Sequence, residues 1–227
     1  MTKAVFFDVD FTLIHPGPTF AGEGYQRFCA RHGMRVDASR FAQALVDASF
    51  LLDEAQDHLY DPALFIGYTR YIIERMGGGG PGLEACAREI YQEWAACRHF
   101  SLYEDVAPTL EMLAARGLRL GLISNTHRCL ASLQSHFRLE SLISAAISSS
   151  VHGYMKPHPS IFQEGLRRLD VRPEESVMVG DSLTHDIEGA LRVGMRAVLV
   201  HRSPDAPAAT AAGVPVVRRL TELDALL

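Results

Sequence analysis

Four short, nearly continuous apolar runs indicate the fold class of this 227-residue chain. They lie at residues 4–7, 118–123, 176–179 and 195–200, and the first three end at or beside a polar residue. Apolar runs of this length are typical of strands that are covered on both faces, as in a parallel sheet. Two weaker runs, at residues 142–147 and 214–217, are expected to form edge strands.

Helical patterns lie between these runs. The pattern at residues 106–116 stops at Gly117, and the pattern at 184–193 stops at Gly194, as expected for glycines that end helices. Pro159 can occupy the first position of another helix. This alternation of strands and helices predicts an α/β fold with a doubly wound, mainly parallel, Rossmann-like sheet.

One long segment interrupts the alternation. Four helical patterns follow one another there without a convincing strand, at residues 22–32, 38–57, 62–76 and 83–98. We therefore predict a Rossmann-like catalytic core formed by residues 1–14 and 101–227. Residues 15–100 are predicted to form an inserted, all-helical cap domain. Residues 77–82 satisfy G-x-G-x-x-G, but a helix rather than a strand precedes them, which favours a loop over a dinucleotide site.

Composition excludes several classes of protein. Hydrophobic residues make up 48% of the chain and charged residues 22%, which is enough to fill a core without disulfides. No apolar run approaches the roughly 18 residues that a membrane helix needs, and the N-terminal run is too short for a signal peptide. The four cysteines form no C-x-x-C pair, which suits a reduced, cytoplasmic protein. The net charge of −5 argues against nucleic acid or an anionic membrane as the partner, and the oligomeric state stays open.

Polar residues cluster where the predicted strands end. Ligands of open α/β sheets bind outside the carboxyl ends of the strands, so these residues are expected to converge at one edge. One of them is a lysine in a chain that has only one other lysine, Lys3. The residues concerned are Asp8, Asp10, Ser124, Asn125, Lys156 and Asp181.

The number of carboxylates predicts a metal ion. Asp8, Asp10, Asp181 and Asp186 would bring four negative charges together, and Lys156 would offset one of them. Clustered carboxylates raise one another's pKa unless a cation neutralises them, and Mg²⁺ prefers oxygen ligands. The chain has no H-E-x-x-H spacing, so zinc is not expected. Taken singly, each aspartate has another interpretation, as a turn residue or as a favourable charge at a helix N-terminus.

Four segments carry a resemblance to a known family. In order, they are Asp8-Val9-Asp10-Phe11-Thr12, Ser124-Asn125, Lys156-Pro157 and Gly180-Asp181-Ser182-Leu183-Thr184-His185-Asp186. The chain resembles the haloacid dehalogenase-like (HAD) hydrolase superfamily from residue 4 to about residue 202, with the helical segment where that family places its type-one cap. Phe11 departs from the pattern, because many relatives have glycine at this position.

The resemblance implies an Mg²⁺-dependent phosphatase that acts on a small phosphorylated metabolite. Asp8 would attack phosphorus and form an aspartyl-phosphate, and Asp10 would act as general acid and then as general base. Asp8 and Asp181 would ligate the metal ion, Asp10 would face it with its backbone carbonyl, and Asp186 would act through water.

The resemblance also implies a phosphate-binding group. Ser124 and Lys156 would hold the phosphoryl oxygens, and the Asn125 segment would help to position them. Substrate specificity is expected to lie in the predicted cap, whose polar residues include His58, Tyr60, Tyr68 and Arg70.

Four alternatives stay open at this point. A 2-haloacid dehalogenase shares the fold but does not need Asp10 or a metal ion. A phosphonate hydrolase would need a cap lysine, and residues 15–99 contain none. A sugar-phosphate mutase would use the same residues, so only the cap would distinguish it. A non-catalytic binding protein would retain the fold without Mg²⁺-dependent turnover of p-nitrophenyl phosphate.

Overall fold

Two compact units make up the described part of the chain. A computed structural model of the protein describes residues 1–53, 57–202 and 213–227. The core unit comprises Met1–His15 and Leu102–Leu227, and the helical unit comprises Pro16–Ser101. The helical pattern predicted at residues 38–57 thus falls partly outside the described residues, at positions 54–56.

A six-stranded, fully parallel sheet organises the core unit, in the order β5-β4-β1-β6-β7-β8. This topology confirms the predicted α/β, Rossmann-like fold. The two weak apolar runs form β5 and β8, which are the edge strands of the sheet, as expected. The strands within the described residues are β1 (Ala4–Phe7), β2 (Ile14–Pro16), β3 (Phe100–Leu102), β4 (Arg119–Ser124), β5 (Ile143–Ser148), β6 (Ser176–Gly180), β7 (Arg196–Val200) and β8 (Val216–Val217).

Side chains of β1 lie at the centre of the core unit. All four residues of the strand are buried, and the ring of Phe6 packs against two glycines. A Cβ atom on Gly121 would lie 2.6 Å from Phe6, and one on Gly165 would lie 3.0 Å away. The two glycines therefore make room for a phenylalanine whose burial contributes about 1.5–3 kcal/mol.

Helices flank this sheet and make up most of the helical unit. Proline begins two of them at the first helical position, and at one of these Asp61 accepts a hydrogen bond from the Ala63 N–H at 2.8 Å. No helix in the described ranges combines the length and apolar character that crossing a bilayer requires. The helices are α1 (Gly22–Arg31), α2 (Phe41–Ala48), α3 (Phe50–Asp53), α4 (Pro62–Arg75), α5 (Leu83–Trp94), α6 (Val106–Ala115), α7 (Leu130–Phe137), α8 (Ser149–His152), α9 (Pro159–Leu169) and α10 (Gly189–Arg192).

Several elements differ from the sequence prediction. The pattern at 184–193 predicted one helix, but a π-helical turn at Leu183–Glu188 precedes α10. Helices α7 and α8 and the short strands β2 and β3 were not predicted, and the described part of the pattern at 38–57 contains two helices, α2 and α3.

In the helical unit, Cys29 and Cys86 are far apart in sequence, yet their Sγ atoms lie 3.9 Å apart as free thiols.

Candidate active site

Strand register brings three chain segments to one edge of the sheet. Phe7 at the end of β1 pairs with Leu122 on one side and with Val179 on the other. The Asp8 N–H then donates to the Val179 carbonyl at 2.9 Å. The chain continues from β1 to β4 and β5 on one side and returns to β6 on the other, so a topological switch point lies between β1 and β6. Ligands of such sheets bind at this position.

Three carboxylates and one lysine meet at this edge. Oxygen atoms of Asp8, Asp181 and Asp186 all lie within 4.8 Å of one another. The Lys156 Nζ donates to Asp8 Oδ1 at 2.5 Å and to Asp186 Oδ1 at 2.6 Å. The side chains of Lys156 and Asp186 are 2% and 1% exposed. The ammonium group thus contacts two of the three clustered carboxylates, and its single positive charge cannot offset all three negative charges.

Burial and this excess charge shift the pKa values of the cluster. Burial raises the pKa of the Asp8 carboxyl well above its ordinary value, although Lys156 opposes the shift. Loss of solvation and the charge of Asp186 raise the pKa of Asp181 to about 6, even though part of this side chain remains open to solvent. Burial alone would lower the pKa of Lys156, but Asp186 and Asp8 raise it above its ordinary value.

The cluster suits a divalent cation. Its donors are carboxylate oxygens, which Mg²⁺ prefers. Such a cation would offset the negative charge that, after burial, raises the pKa values of Asp8 and Asp181. Asp10, which the sequence analysis included among the metal residues, does not belong to this group of carboxylates among the described residues.

Neighbouring groups hold the aspartates in place. The buried Thr12 hydroxyl donates to Asp181 Oδ1 at 3.0 Å, and the Ser182 N–H donates to Asp186 Oδ2 at 3.0 Å. A Cβ atom on Gly180 would lie 2.3 Å from the Asp186 carboxyl carbon. Residue 180 must therefore be a glycine for Asp186 to sit where it does.

An arginine anchors the loop that carries the two N-terminal aspartates. The Arg202 guanidinium donates to the Thr12 carbonyl at 2.7 Å and to the Asp105 carboxylate at 3.1 Å. It also stacks over the Tyr103 ring, 3.7 Å from the ring centre. These contacts fix the backbone beside Asp8 and Asp10.

Ser124 and Asn125, at the end of β4, have different surroundings. Ser124 is the last residue of β4 and is 1% exposed. The Asn125 side chain donates to the Lys156 carbonyl at 3.0 Å and accepts from the Lys156 N–H at 2.7 Å. Asn125 therefore holds the backbone of the lysine, and this contact suits the positioning role proposed for its segment.

The Asp10 carboxylate faces an arginine rather than the acidic cluster. Arg128 Nη1 lies 3.0 Å from Asp10 Oδ1 and 3.1 Å from Oδ2, and the Arg128 side chain is fully buried. The sequence analysis missed Arg128. Its position in the loop after Ser124 was the only available signal, because no family motif or spacing distinguishes it from the other arginines.

Phe11 adopts the backbone conformation that glycine favours. Its φ is +65°, in the left-handed region, and its N–H donates to the Ile14 carbonyl at 2.7 Å. A non-glycine residue in this region costs roughly 1–2 kcal/mol. The turn between the two aspartates and β2 therefore forms although a phenylalanine occupies this position.

The helical unit has a surface cavity of its own. It has a volume of about 270 Å³, and Tyr68 and Arg70 of α4 are among the residues that line it. Tyr60, another polar residue named for specificity, hydrogen-bonds through its hydroxyl to Tyr91. His58 has a left-handed backbone, with φ +50°.

Comparisons with known proteins agree with this architecture. The haloacid dehalogenase-like hydrolase family model matches residues 2–194. A glyceraldehyde 3-phosphate phosphatase of Methanopyrus kandleri is 34% identical, over 89% of this chain and 85% of that protein.

Two solved structures share the fold. A HAD phosphatase from Thermococcus onnurineus superposes with a TM-score of 0.67 at 24% identity, over 99% of this chain and 97% of that one. A 2-haloacid dehalogenase from Pseudomonas syringae pv. Tomato DC3000 superposes with a TM-score of 0.66 at 28% identity, over 100% and 98% of the two chains.

The fold and the family match define the class of protein. The chain belongs to the haloacid dehalogenase-like hydrolases, which confirms the resemblance found in the sequence. Within that family it is a phosphatase, a phosphoric monoester hydrolase.

Proposed function

We propose that this protein hydrolyses the phosphate monoester of a small metabolite, depends on Mg²⁺ and forms an aspartyl-phosphate on Asp8. One observation carries the proposal: the Lys156 ammonium lies between Asp8 and Asp186, inside an acidic cluster at the switch point of the sheet. A nucleophilic carboxylate needs a nearby cation to approach an anionic phosphoryl group, and this arrangement supplies one.

The first step transfers the phosphoryl group to the enzyme. An Asp8 oxygen attacks phosphorus, the bond between phosphorus and the ester oxygen breaks, and the Asp10 carboxyl protonates the departing oxygen. Lys156 holds the attacking carboxylate and a phosphoryl oxygen, a task that suits the compact charge of a lysine.

The second step returns Asp8 to its free form. The Asp10 carboxylate takes a proton from a water molecule, the water oxygen attacks phosphorus, and the bond to Asp8 breaks. Inorganic phosphate leaves, and Asp10 again carries the proton that the next cycle requires. Ser124 binds a phosphoryl oxygen in both steps, and Asn125 keeps Lys156 in position.

Four residues are proposed to hold Mg²⁺. Asp8 and Asp181 would hold the ion through carboxylate oxygens, Asp10 would offer its backbone carbonyl, and Asp186 would act through water. When bound, the ion supplies positive charge that offsets the charges of the phosphoryl oxygens and the nucleophile. The three clustered carboxylates support this assignment.

We further propose that the helical unit is a cap that selects the substrate. The name of the Methanopyrus kandleri relative makes glyceraldehyde 3-phosphate the first compound to test. The four free cysteines and the net negative charge support a cytoplasmic enzyme that does not bind nucleic acid or membranes.

Phosphate release from a panel of phosphorylated metabolites tests the proposal. With Mg²⁺, the wild-type chain should release phosphate from p-nitrophenyl phosphate and from at least one metabolite, and EDTA should stop both reactions. Asp8→Asn should abolish turnover with the fold retained, because an amide of the same shape is a poor nucleophile. Asp224→Asn is the matched control, because that carboxylate is 66% exposed and pairs with Arg116 on the surface.

Two outcomes would contradict the proposal. The first is that Asp8→Asn retains more than a few per cent of wild-type turnover after deamidation has been excluded. The second is that the wild-type chain releases halide from a 2-haloacid in the presence of EDTA and releases no phosphate from any ester, a result that would favour dehalogenase activity.

A further inference from the structure

A buried arginine contacts the residue to which the proposed mechanism gives two proton transfers. One Arg128 nitrogen, Nη1, reaches both oxygens of Asp10, at 3.0 and 3.1 Å. The Arg128 side chain has no exposed surface, whereas the Asp10 side chain is 17% exposed. The two residues are 118 positions apart in sequence.

Burial makes this contact energetically important. A guanidinium group cannot lose its charge in a protein, and a charge taken out of water destabilises the fold unless a partner compensates it. The Asp10 carboxylate is a charged partner that supplies this compensation. The position of the Asp10 carboxylate is thus tied to a guanidinium group that water does not reach.

The backbone around Arg128 is also fixed. The Arg128 N–H donates to the Thr126 hydroxyl at 3.0 Å, and the Thr126 N–H donates to the Ser149 hydroxyl at 3.0 Å. Thr126 is 3% exposed and Ser149 is fully buried. The loop after β4 is therefore a rigid support for the arginine.

We propose that Arg128 is a positioning residue for the general acid and base Asp10; this inference rests on the proposed phosphatase mechanism. Arg128 has only donors, so it can hold either form of Asp10. When Asp10 carries a proton, one oxygen accepts from Nη1 and the other donates to the leaving oxygen. When Asp10 is ionised, the same contact keeps an oxygen available to the attacking water.

The contact also separates Asp10 from the other aspartates. Asp8, Asp181 and Asp186 form the acidic cluster, while the Asp10 carboxylate lies on Arg128. A carboxyl group bound directly to a metal ion cannot carry the proton that the first step needs. Arg128 thus keeps Asp10 available for proton transfer, although it lies two residues from Asp8.

Arg128→Met, a variant of similar length without charge, tests this role. A misplacement of about 1 Å can cost about 100-fold in rate, so kcat should fall by about 10- to 100-fold for the alkyl phosphate that the wild-type chain turns over fastest. KM should change little. With p-nitrophenyl phosphate, whose leaving group departs with little protonation, the first turnover should be largely spared and the slow second step should give a burst.

The Asp10→Asn background separates positioning from structural support. In that background, Arg128→Met should change kcat by less than about threefold, because the effects of substituting two residues that act together are not additive. Arg128→Lys retains the charge and should recover part of the lost kcat. Arg192→Met is the matched control, since Arg192 is 55% exposed and pairs with Glu188 on the surface of α10.

The outcomes distinguish this inference from the proposed function. An equal loss in the burst and in the slow step, or an undiminished loss in the Asp10→Asn background, would contradict positioning by Arg128. If Arg128→Met does not fold, as judged by circular dichroism, the same comparison of the burst with the slow step is made on Arg128→Lys and decides the question. If the wild-type chain releases no phosphate, or Asp10→Asn has normal kinetics, the proposed function itself fails.

Discussion

Lys156 and its neighbouring carboxylates change one another's affinity for protons. The ammonium group lies 2.5 and 2.6 Å from two buried aspartates, so it stays charged, and the third carboxylate, Asp181, has its pKa raised to about 6. A proton and the proposed metal ion would therefore compete for Asp181, because a ligating carboxylate must be deprotonated.

This competition predicts a pH-dependent affinity for Mg²⁺. Above pH 6, Asp181 is ionised without a metal ion, and the Mg²⁺ dissociation constant should change little on its account. Below pH 6, each Mg²⁺ ion must displace a proton, so the dissociation constant should rise by about tenfold per pH unit for each proton displaced. Calorimetric titration of the wild-type chain between about pH 5 and 8 measures this dependence. A dissociation constant that does not change over this range would contradict it.

Thr12 offers a second test of the acidic cluster. Its buried hydroxyl donates to Asp181 Oδ1 at 3.0 Å, and Thr12→Val removes that donor while keeping the shape of the side chain. Loss of a hydrogen bond to a metal ligand typically weakens metal binding by 10- to 100-fold, and we expect about tenfold here. Activity measured against Mg²⁺ concentration gives the shift, and Thr12→Ser should restore the wild-type curve. An unchanged Thr12→Val curve would remove Thr12 from the site.

The sequence predicts individual site residues where the chemistry is local. Asp8, Asp10, Ser124 and Asp181 stand out because each follows an apolar run, and parallel strands bring such positions to one edge. The contact of Thr12 with Asp181, in contrast, joins residues 169 positions apart, so no local pattern predicts it.

The role of Arg128 could not be predicted in this way. In the sequence, nothing distinguishes Arg128 from the other arginines. In the structure, the loop after β4 places its side chain in the interior, where it contacts Asp10 from a distant part of the chain. Burial and partner choice of this kind depend on tertiary packing, which no local pattern records.

At the level of elements, apolar runs predict strands better than weak periodicity predicts helices. The runs at 4–7 and 195–200 correspond to β1 and β7 within one residue, because buried parallel strands need apolar residues on both faces. Helix α7 has only eight residues, no side-chain cap and no proline at its start, so it carries none of the usual helix-start signals.

The turn after β6 gives an element-scale prediction. Because a Cβ atom at residue 180 would lie 2.3 Å from the Asp186 carboxyl carbon, Gly180→Ala must displace either the backbone or Asp186. We expect a loss of about 1–3 kcal/mol in the free energy of unfolding, as for other overpacked sites, together with a large loss of kcat. Chemical denaturation and steady-state kinetics measure the two effects. Gly79→Ala, at a glycine with no neighbour within 4 Å, is the control, and wild-type values for Gly180→Ala would contradict the expectation.

For the whole molecule, the fold alone does not settle the reaction. The solved structures that share it include both a HAD phosphatase and a 2-haloacid dehalogenase. A single fold supports several chemistries, so the reaction has to be argued from the residues at the site. Asp10 and the acidic cluster are the features of this chain that favour phosphate ester hydrolysis over metal-free dehalogenation.

Metal binding should stabilise the whole molecule. A ligand that binds only the folded state at 100 times its dissociation constant adds about 2.7 kcal/mol, which corresponds to about 5–10 °C in Tm for a chain of this length. Scanning calorimetry with Mg²⁺ and with EDTA measures the difference. Asp181→Asn should remove most of it, and an equal Mg²⁺ response in that variant would place the metal ion elsewhere.

The most direct test of the proposed mechanism is mass spectrometry of the acid-quenched Asp10→Asn variant after mixing with p-nitrophenyl phosphate. This variant lacks the base of the second step, while its first step needs little protonation of the leaving group. We expect a burst of nitrophenolate and a phosphoryl adduct on the peptide that contains Asp8, approaching one per chain. Near wild-type turnover without an adduct, or an adduct on a peptide without Asp8, would contradict the assignment of Asp8 as the nucleophile and of Asp10 as the acid and base.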